Sequence, residues 1–153
     1  MTLIKDQQFI YHLTDIENLP SILSNGLQPR SSLINFSDVA DDEIIASRKR
    51  SKLEDYVPFH FFARSPFDGA VQLSHPQKTF VLIAIRRSLA EANKWSIIPT
   101  HPLSLPLAEL LDYPARIAAL DWDAMDKRDY NDPHSRSVCM AECLSPNIVS
   151  ANC

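Results

Sequence analysis

A chain of 153 residues with 45% hydrophobic and 22% charged residues is sized for one domain around one core and is too apolar to be disordered. Its net charge of −4 excludes a protein that is basic all over, although it leaves room for a local positive groove that binds nucleic acid. The longest purely apolar run, residues 80–85, is far too short for a membrane span. The N-terminus lacks the charged-then-apolar order of a secretion signal, so a cytoplasmic address with no membrane partner is expected.

In chain order, residues 9–13 (Phe-Ile-Tyr-His-Leu) read as a short buried strand between polar residues. Thr14-Asp15-Ile16-Glu17 matches a capping box, in which hydroxyl and carboxylate satisfy orphan amides. Pro20 marks a first helical turn, with Leu19, Ile22 and Leu23 as one apolar face and Asn25-Gly26-Leu27 as the stop. Residues 31–38 read as a loop. Residues 41–50 read as a helix, acidic at its start and basic at its end as the helix dipole favours.

Residues 57–63 alternate as a strand, and Pro58 places it at an edge or at a strand start. Residues 64–69 are a turn-rich loop. Residues 79–86 form a continuous β-branched strand, expected to be buried on both faces. A short helix at 88–93 and a strand at 95–98 follow, then a connector at 99–106 holding Pro99, Pro102 and Pro106. Residues 107–119 are one helix or two, because Pro114 interrupts them. A polar stretch at 121–135 leads to a last strand at 137–144. Single strands alternating with short helices give an α+β class without regular βαβ units.

The three cysteines, Cys139, Cys143 and Cys153, imply no complete disulfide framework. On one strand Cys139 and Cys143 would lie about 13 Å apart and could not bridge. No further ligands stand at metal spacing, so all three are read as thiols and no metal is expected. With only Gly26 and Gly69, there is no glycine-rich phosphate cradle of the Rossmann or P-loop kind.

Two residues stand out. His12 lies inside an apolar strand, either as a satisfied core histidine or as a hydrogen-bonding group for a ligand at the strand end. Glu142 shares a predicted strand face with Val138, Met140 and Leu144. A carboxylate there is costly unless it lines a cleft; the alternative is an edge strand with Glu142 in solvent. Arg48, Lys49 and Arg50, with Lys52, either answer a helix dipole or face a phosphate. The same choice between solvated face and polyanion contact applies to Arg86-Arg87. The aromatics Phe59, Phe61 and Phe62 read as core rather than as a base-stacking platform.

Tyr-His-Leu-Thr-Asp (11–15), Asn-Leu-Pro-Ser-Ile-Leu before Gly26-Leu27, Asp-Tyr-Val-Pro-Phe-His-Phe-Phe-Ala-Arg-Ser-Pro-Phe (55–67) and Val-Cys-Met-Ala-Glu-Cys-Leu (138–144) occur in an order that resembles the DarT-type DNA ADP-ribosyltransferases. These are the toxins of DarT–DarG toxin–antitoxin systems. The resemblance spans essentially the whole chain. It implies an ADP-ribosyltransferase fold, two small sheets around an NAD cleft with flanking short helices, in a single domain over 1–153. Family members continue into closing strands past the catalytic one, whereas this chain ends at Cys153, so those strands are expected to be missing or replaced.

By that resemblance His12, Leu13, Thr14 and Asn18 hold NAD and Glu142 is the catalytic carboxylate. Arg48 is the essential arginine with Arg50 as its alternate, and Arg50, Lys52 and Arg64 contact nucleic acid. It further implies NAD as consumed co-substrate, thymine or guanine of single-stranded DNA as acceptor, and a macrodomain antitoxin of the DarG type as partner. Two rivals stand beside it: an enzyme resembling RNA 2′-phosphotransferases, and a non-catalytic nucleotide-binding module.

Overall fold

The computed structural model describes residues 2–32, 53–101 and 111–151. The helix expected at 41–50 lies outside the described residues, as do most of the loop at 31–38 and most of the connector at 99–106.

Strand β1 (Phe9–Asp15) leads through a short 3-10 turn into α1 (Leu19–Asn25). The Thr14 capping box does not form, because the helical turn begins at Ile16, one residue later than that box requires. Asp15 is the cap instead, its carboxylate accepting the Glu17 amide at 2.9 Å. In α1, Ile22 packs on the core while Leu23 is 64% exposed, so the expected apolar face is only half realised. Gly26 ends the helix at φ +83°. Leu27 is buried in the core against which Ile22 packs, and its backbone pairs with Val149.

The strand expected at 57–63 stops early, as β2 (Val57–His60), and α2 (Pro66–Ser74) replaces the loop expected after it. Ser65 and Asp68 form a reciprocal capping box and Pro66 occupies the first turn, which is a helix start rather than a turn signal. Then come β3 (Phe80–Arg86), α3 (Arg87–Ala92), β4 (Ser96–Ile98), β5 (Leu111–Asp112) and α4 (Tyr113–Arg116). Last are α5 (Trp122–Lys127), α6 (Pro133–Cys139) and β6 (Glu142–Ser145).

The six strands among the described residues join one antiparallel sheet in the order β3-β1-β2-β6-β4-β5. The α+β class holds, but in place of two small sheets there is one continuous sheet made of two halves. Seven registered pairs zip β1 to β3 and four zip β2 to β6, but the halves meet at a single pair, Tyr11↔His60. β2 is an interior strand, so of the two places expected for Pro58 the edge fails and the strand start holds. The Pro58 carbonyl points to β1 and takes the His12 ring at 2.7 Å. Lacking an N–H, proline adds no ladder bond on that side.

β3 is an edge strand among the described residues, with Ile85 buried and Leu82 42% exposed. The expectation of burial on both faces fails because an apolar run does not report how many neighbours a strand acquires. The core holds Ile10, Val57, Phe59, Phe61, Ile97 and Met125. Each buried aromatic or large aliphatic side chain contributes about 1.5–3 kcal/mol of transfer free energy.

Arg87 ties this core to the N-terminus. It is 7% exposed, and its guanidinium donates to the carbonyls of Phe9 (3.0 Å), Ile4 (2.9 Å), Lys5 (3.3 Å) and Phe61 (2.7 Å). It also lies over the rings of Phe61 and Trp122. Of the Arg86-Arg87 pair, only Arg86 is exposed, so Arg87 is a structural cation and not a phosphate contact.

Candidate active site

Glu142 opens β6. Asp132 caps α6 through the His134 amide and Pro133 sits in the first turn, so the chain is helical to Cys139 and turns sharply into the strand. The strand expected from Ser137 is thereby shortened, and the two-face pattern assigned to 138–144 holds only from Glu142 onward. The separation argument for Cys139 and Cys143 lapses with it; both are buried free thiols.

The carboxylate-bearing residue is on an interior strand and is 4% exposed. This removes the alternative of an edge residue in solvent. Glu142 stands directly opposite His60 on β2 and Ile98 on β4, while His60 stands opposite Tyr11 on β1. Directly opposite residues share a sheet face, so Tyr11, His60, Glu142 and Ile98 form one transverse row.

His101 and Arg136 flank this row. The His101 amide donates to Ser137 Oγ at 3.2 Å, tethering the segment after β4 to α6. Burial pushes the His101 imidazole below its usual range, Glu142 pulls it back up, and Arg136 and His60 lower it further. Glu142, Arg136 and His60 are therefore each within electrostatic reach of His101. The His60 ring is stacked on Phe67 of α2, with centroids 5.3 Å apart.

The second set lies at the end of β1. Asn18 Nδ2 donates to Thr14 Oγ1 at 3.1 Å, and Leu13 and Thr14 are both buried. Asp15, 2% exposed, is paired with Lys78 at 2.8 Å. His12 is half-buried, and its hydrogen bond to Pro58 O makes Nδ1 a donor and fixes the plane of the ring. Its ring lies 5.8 Å from Phe59. By register His12 shares the face of Phe59, whereas Glu142 shares that of His60. The fold thus brings Thr14 and Asn18 together and sets His12 at the junction, with Glu142 two strands away.

Arg48, Arg50 and Lys52 lie outside the described residues. Arg64 is exposed, with φ 63°, between the end of β2 and the cap of α2. Sequence reasoning did not single out His60, His101, Arg136 or Phe67 for the site. Only the alternation of β2 hinted at His60, since it placed that residue and Phe59 on opposite faces. Among the described residues no group of three or more His, Cys, Asp or Glu is arranged to hold a metal ion, and no helix is long and apolar enough to cross a membrane.

A family model described as "ssDNA thymidine ADP-ribosyltransferase, DarT" matches residues 11–153. The DNA ADP-ribosyl transferase of Thermus sp. (strain 2.9) is 29% identical over 140 residues, covering 81% of this chain and 67% of that protein. The DNA ADP-ribosyl transferase of Thermus aquaticus is 31% identical over 135 residues, covering 76% of this chain and 60% of that protein.

The structure of Thermus sp. 2.9 DarT in complex with ADP-ribosylated ssDNA is similar at a TM-score of 0.78 and 26% identity, covering 94% of this chain and 77% of that one. The same protein in complex with NAD+ gives 0.72 at 24% identity, covering 95% and 78%. Thermosipho africanus DarTG in complex with ADP-ribose gives 0.70 at 22% identity, covering 94% and 41%.

Proposed function

The chain belongs to the DarT family, and on that footing we propose that it transfers ADP-ribose from NAD to a thymine of single-stranded DNA, with Glu142 as the catalytic carboxylate. The observation that carries this reading is the burial of Glu142 at 4% on an interior strand, where a carboxylate is retained only for a partner or a task. Thymine is preferred over guanine because the matching family description names thymidine. A relative bound to ADP-ribosylated ssDNA supports the acceptor class, and its complex with NAD+ supports the co-substrate.

In the proposed reaction the bond between nicotinamide and ribose C1 breaks, and its electron pair leaves with nicotinamide. Positive charge builds on the ribose, as in glycoside cleavage. The Glu142 carboxylate stabilises that charge and takes the proton of the attacking thymine nitrogen as general base. The new bond joins ribose C1 to that nitrogen. His12, Leu13, Thr14 and Asn18 hold NAD at the end of β1, and Arg48, with Arg50 as alternate, orients its phosphates. Arg50, Lys52 and Arg64 meet the DNA backbone. A paired base is inaccessible inside a duplex, which favours a single strand.

We place this single domain in the cytoplasm, as the toxin of a pair whose antitoxin is a macrodomain protein of the DarG type; a DarTG relative with the same fold supports that pairing. The test is to incubate the protein with labelled NAD and single-stranded DNA, duplex DNA, RNA or protein. Label on single-stranded DNA is expected. Label on RNA or protein alone would refute the reading.

A further inference from the structure

We propose that His60 is a positioning residue for Glu142, braced by Phe67, so that the reactive carboxylate is oriented by a histidine on the neighbouring strand. The inference rests on the transferase reading above and extends it to two residues that the reading does not use.

Three observations carry it. First, His60 and Glu142 are directly opposite on adjacent interior strands, which puts their Cβ atoms about 4.5–5.5 Å apart on one face. Second, His60 is 6% and Glu142 4% exposed, so both polar side chains lie where water does not screen them and a fixed dipole or charge acts strongly. Third, the His60 ring is stacked on Phe67 at 5.3 Å with a 30° tilt. Phe67 is in the first turn of α2, whose start is fixed by the Ser65–Asp68 capping box. The ring plane therefore inherits the rigidity of a capped helix rather than of a loop.

A carboxylate that must face a developing ribose cation gains from being held in one orientation before the reaction. A ring on the adjacent strand, itself clamped from outside, supplies that restraint. Glu142, Arg136 and His60 all act on the imidazole of His101, just after β4. His60 is the member of that group fixed to Glu142 by strand register.

The test compares wild type with Glu142→Ala, His60→Phe, His60→Gln and Phe67→Ala, using NAD and a single-stranded thymine-containing oligonucleotide. It reads kcat, KM for NAD and thermal melting separately. His60→Phe keeps the ring stack but removes both ring nitrogens. It is expected to lower kcat by about 10–100-fold with KM changed less than about two-fold, because orientation acts on the transition state more than on binding. His60→Gln, which restores a polar group, is expected to recover part of that loss, and Phe67→Ala to lower kcat several-fold.

A His60→Phe enzyme with wild-type kcat overturns the inference. So does a kcat loss matched by a rise in KM and a fall in melting temperature that His60→Gln does not relieve. If His60→Phe does not fold, Phe67→Ala decides: lower kcat at constant KM supports the restraint, and unchanged kcat overturns it. Failure of wild type to label single-stranded DNA, or a Glu142→Ala variant as active as wild type, counts against the function itself and takes this inference with it. Loss at Glu142 without loss at His60 counts against this inference alone.

Discussion

His12 on β1 donates from Nδ1 to the carbonyl of Pro58 on β2 at 2.7 Å. That side-chain bond closes the seam between the two halves of the sheet, where Tyr11↔His60 is the only registered strand pair. One mid-strand histidine thus ties β1, which leads to the proposed NAD end, to the strand beside Glu142. His12→Ala is expected to destabilise the protein by about 1 kcal/mol, the cost of leaving a part-buried carbonyl without this partner. Urea unfolding measures this, and unchanged stability would show that the seam does not depend on the bond.

Gly26 sits at φ +83°, and a Cβ there would lie 2.7 Å from Ile148 Cγ2 and 2.9 Å from the Val149 carbonyl oxygen. Backbone strain and collision act together. Gly26→Ala should therefore cost at least about 1 kcal/mol and lower the melting temperature. The bridge between Leu27 and Val149 should loosen first, visible as faster amide exchange at Val149.

Arg87 and Arg86 are adjacent in sequence and opposite in role. Arg87→Ala orphans four carbonyl contacts and is expected to destabilise by about 3 kcal/mol or more. Arg86→Ala, at an exposed site over Phe9, should stay within about 0.5 kcal/mol. Equal effects from the two in a denaturation series would refute this division.

Stability should fall in alkali. Burial pushes the Tyr113 phenol up to about 12 and shifts the Cys143 thiol strongly up. The hydrogen bond to Asp15 raises the Lys78 ammonium above its ordinary 10.5. In all three the folded state holds its proton to higher pH than the unfolded chain does. Stability is then fully present below about pH 8.5, where the unfolded groups are still protonated, and declines as pH rises toward the folded values. Tyr113→Phe should flatten part of that decline in a pH series of thermal melts. An identical alkaline limb in the variant would contradict the assignment.

Much of the fold was legible because it rests on local signals. The helix stop at Gly26, the aromatic core of Phe59, Phe61 and Phe62, and an apolar strand around Glu142 are all found. The misreadings share one cause, a local signal given the wrong partner. Ser65-Pro66 read as turn chemistry yet starts a helix, because Asp68 completes the cap. Asp132-Pro133 likewise starts α6 and cuts short the strand expected from Ser137. Residues 79–86 read as a strand buried on both faces, although β3 has a neighbour on one side only among the described residues. His60 escaped notice because its importance lies in register with Glu142, and register is a property of two distant segments. The resemblance supplied Glu142 its role, which spacing alone left open.

The most direct test of the account is transfer of label from NAD to a single-stranded thymine oligonucleotide by wild type and by Glu142→Ala, with both proteins shown to melt cooperatively. The account predicts labelled DNA from wild type and a loss of at least about 100-fold in the variant. Undiminished transfer by a folded Glu142→Ala protein would contradict it.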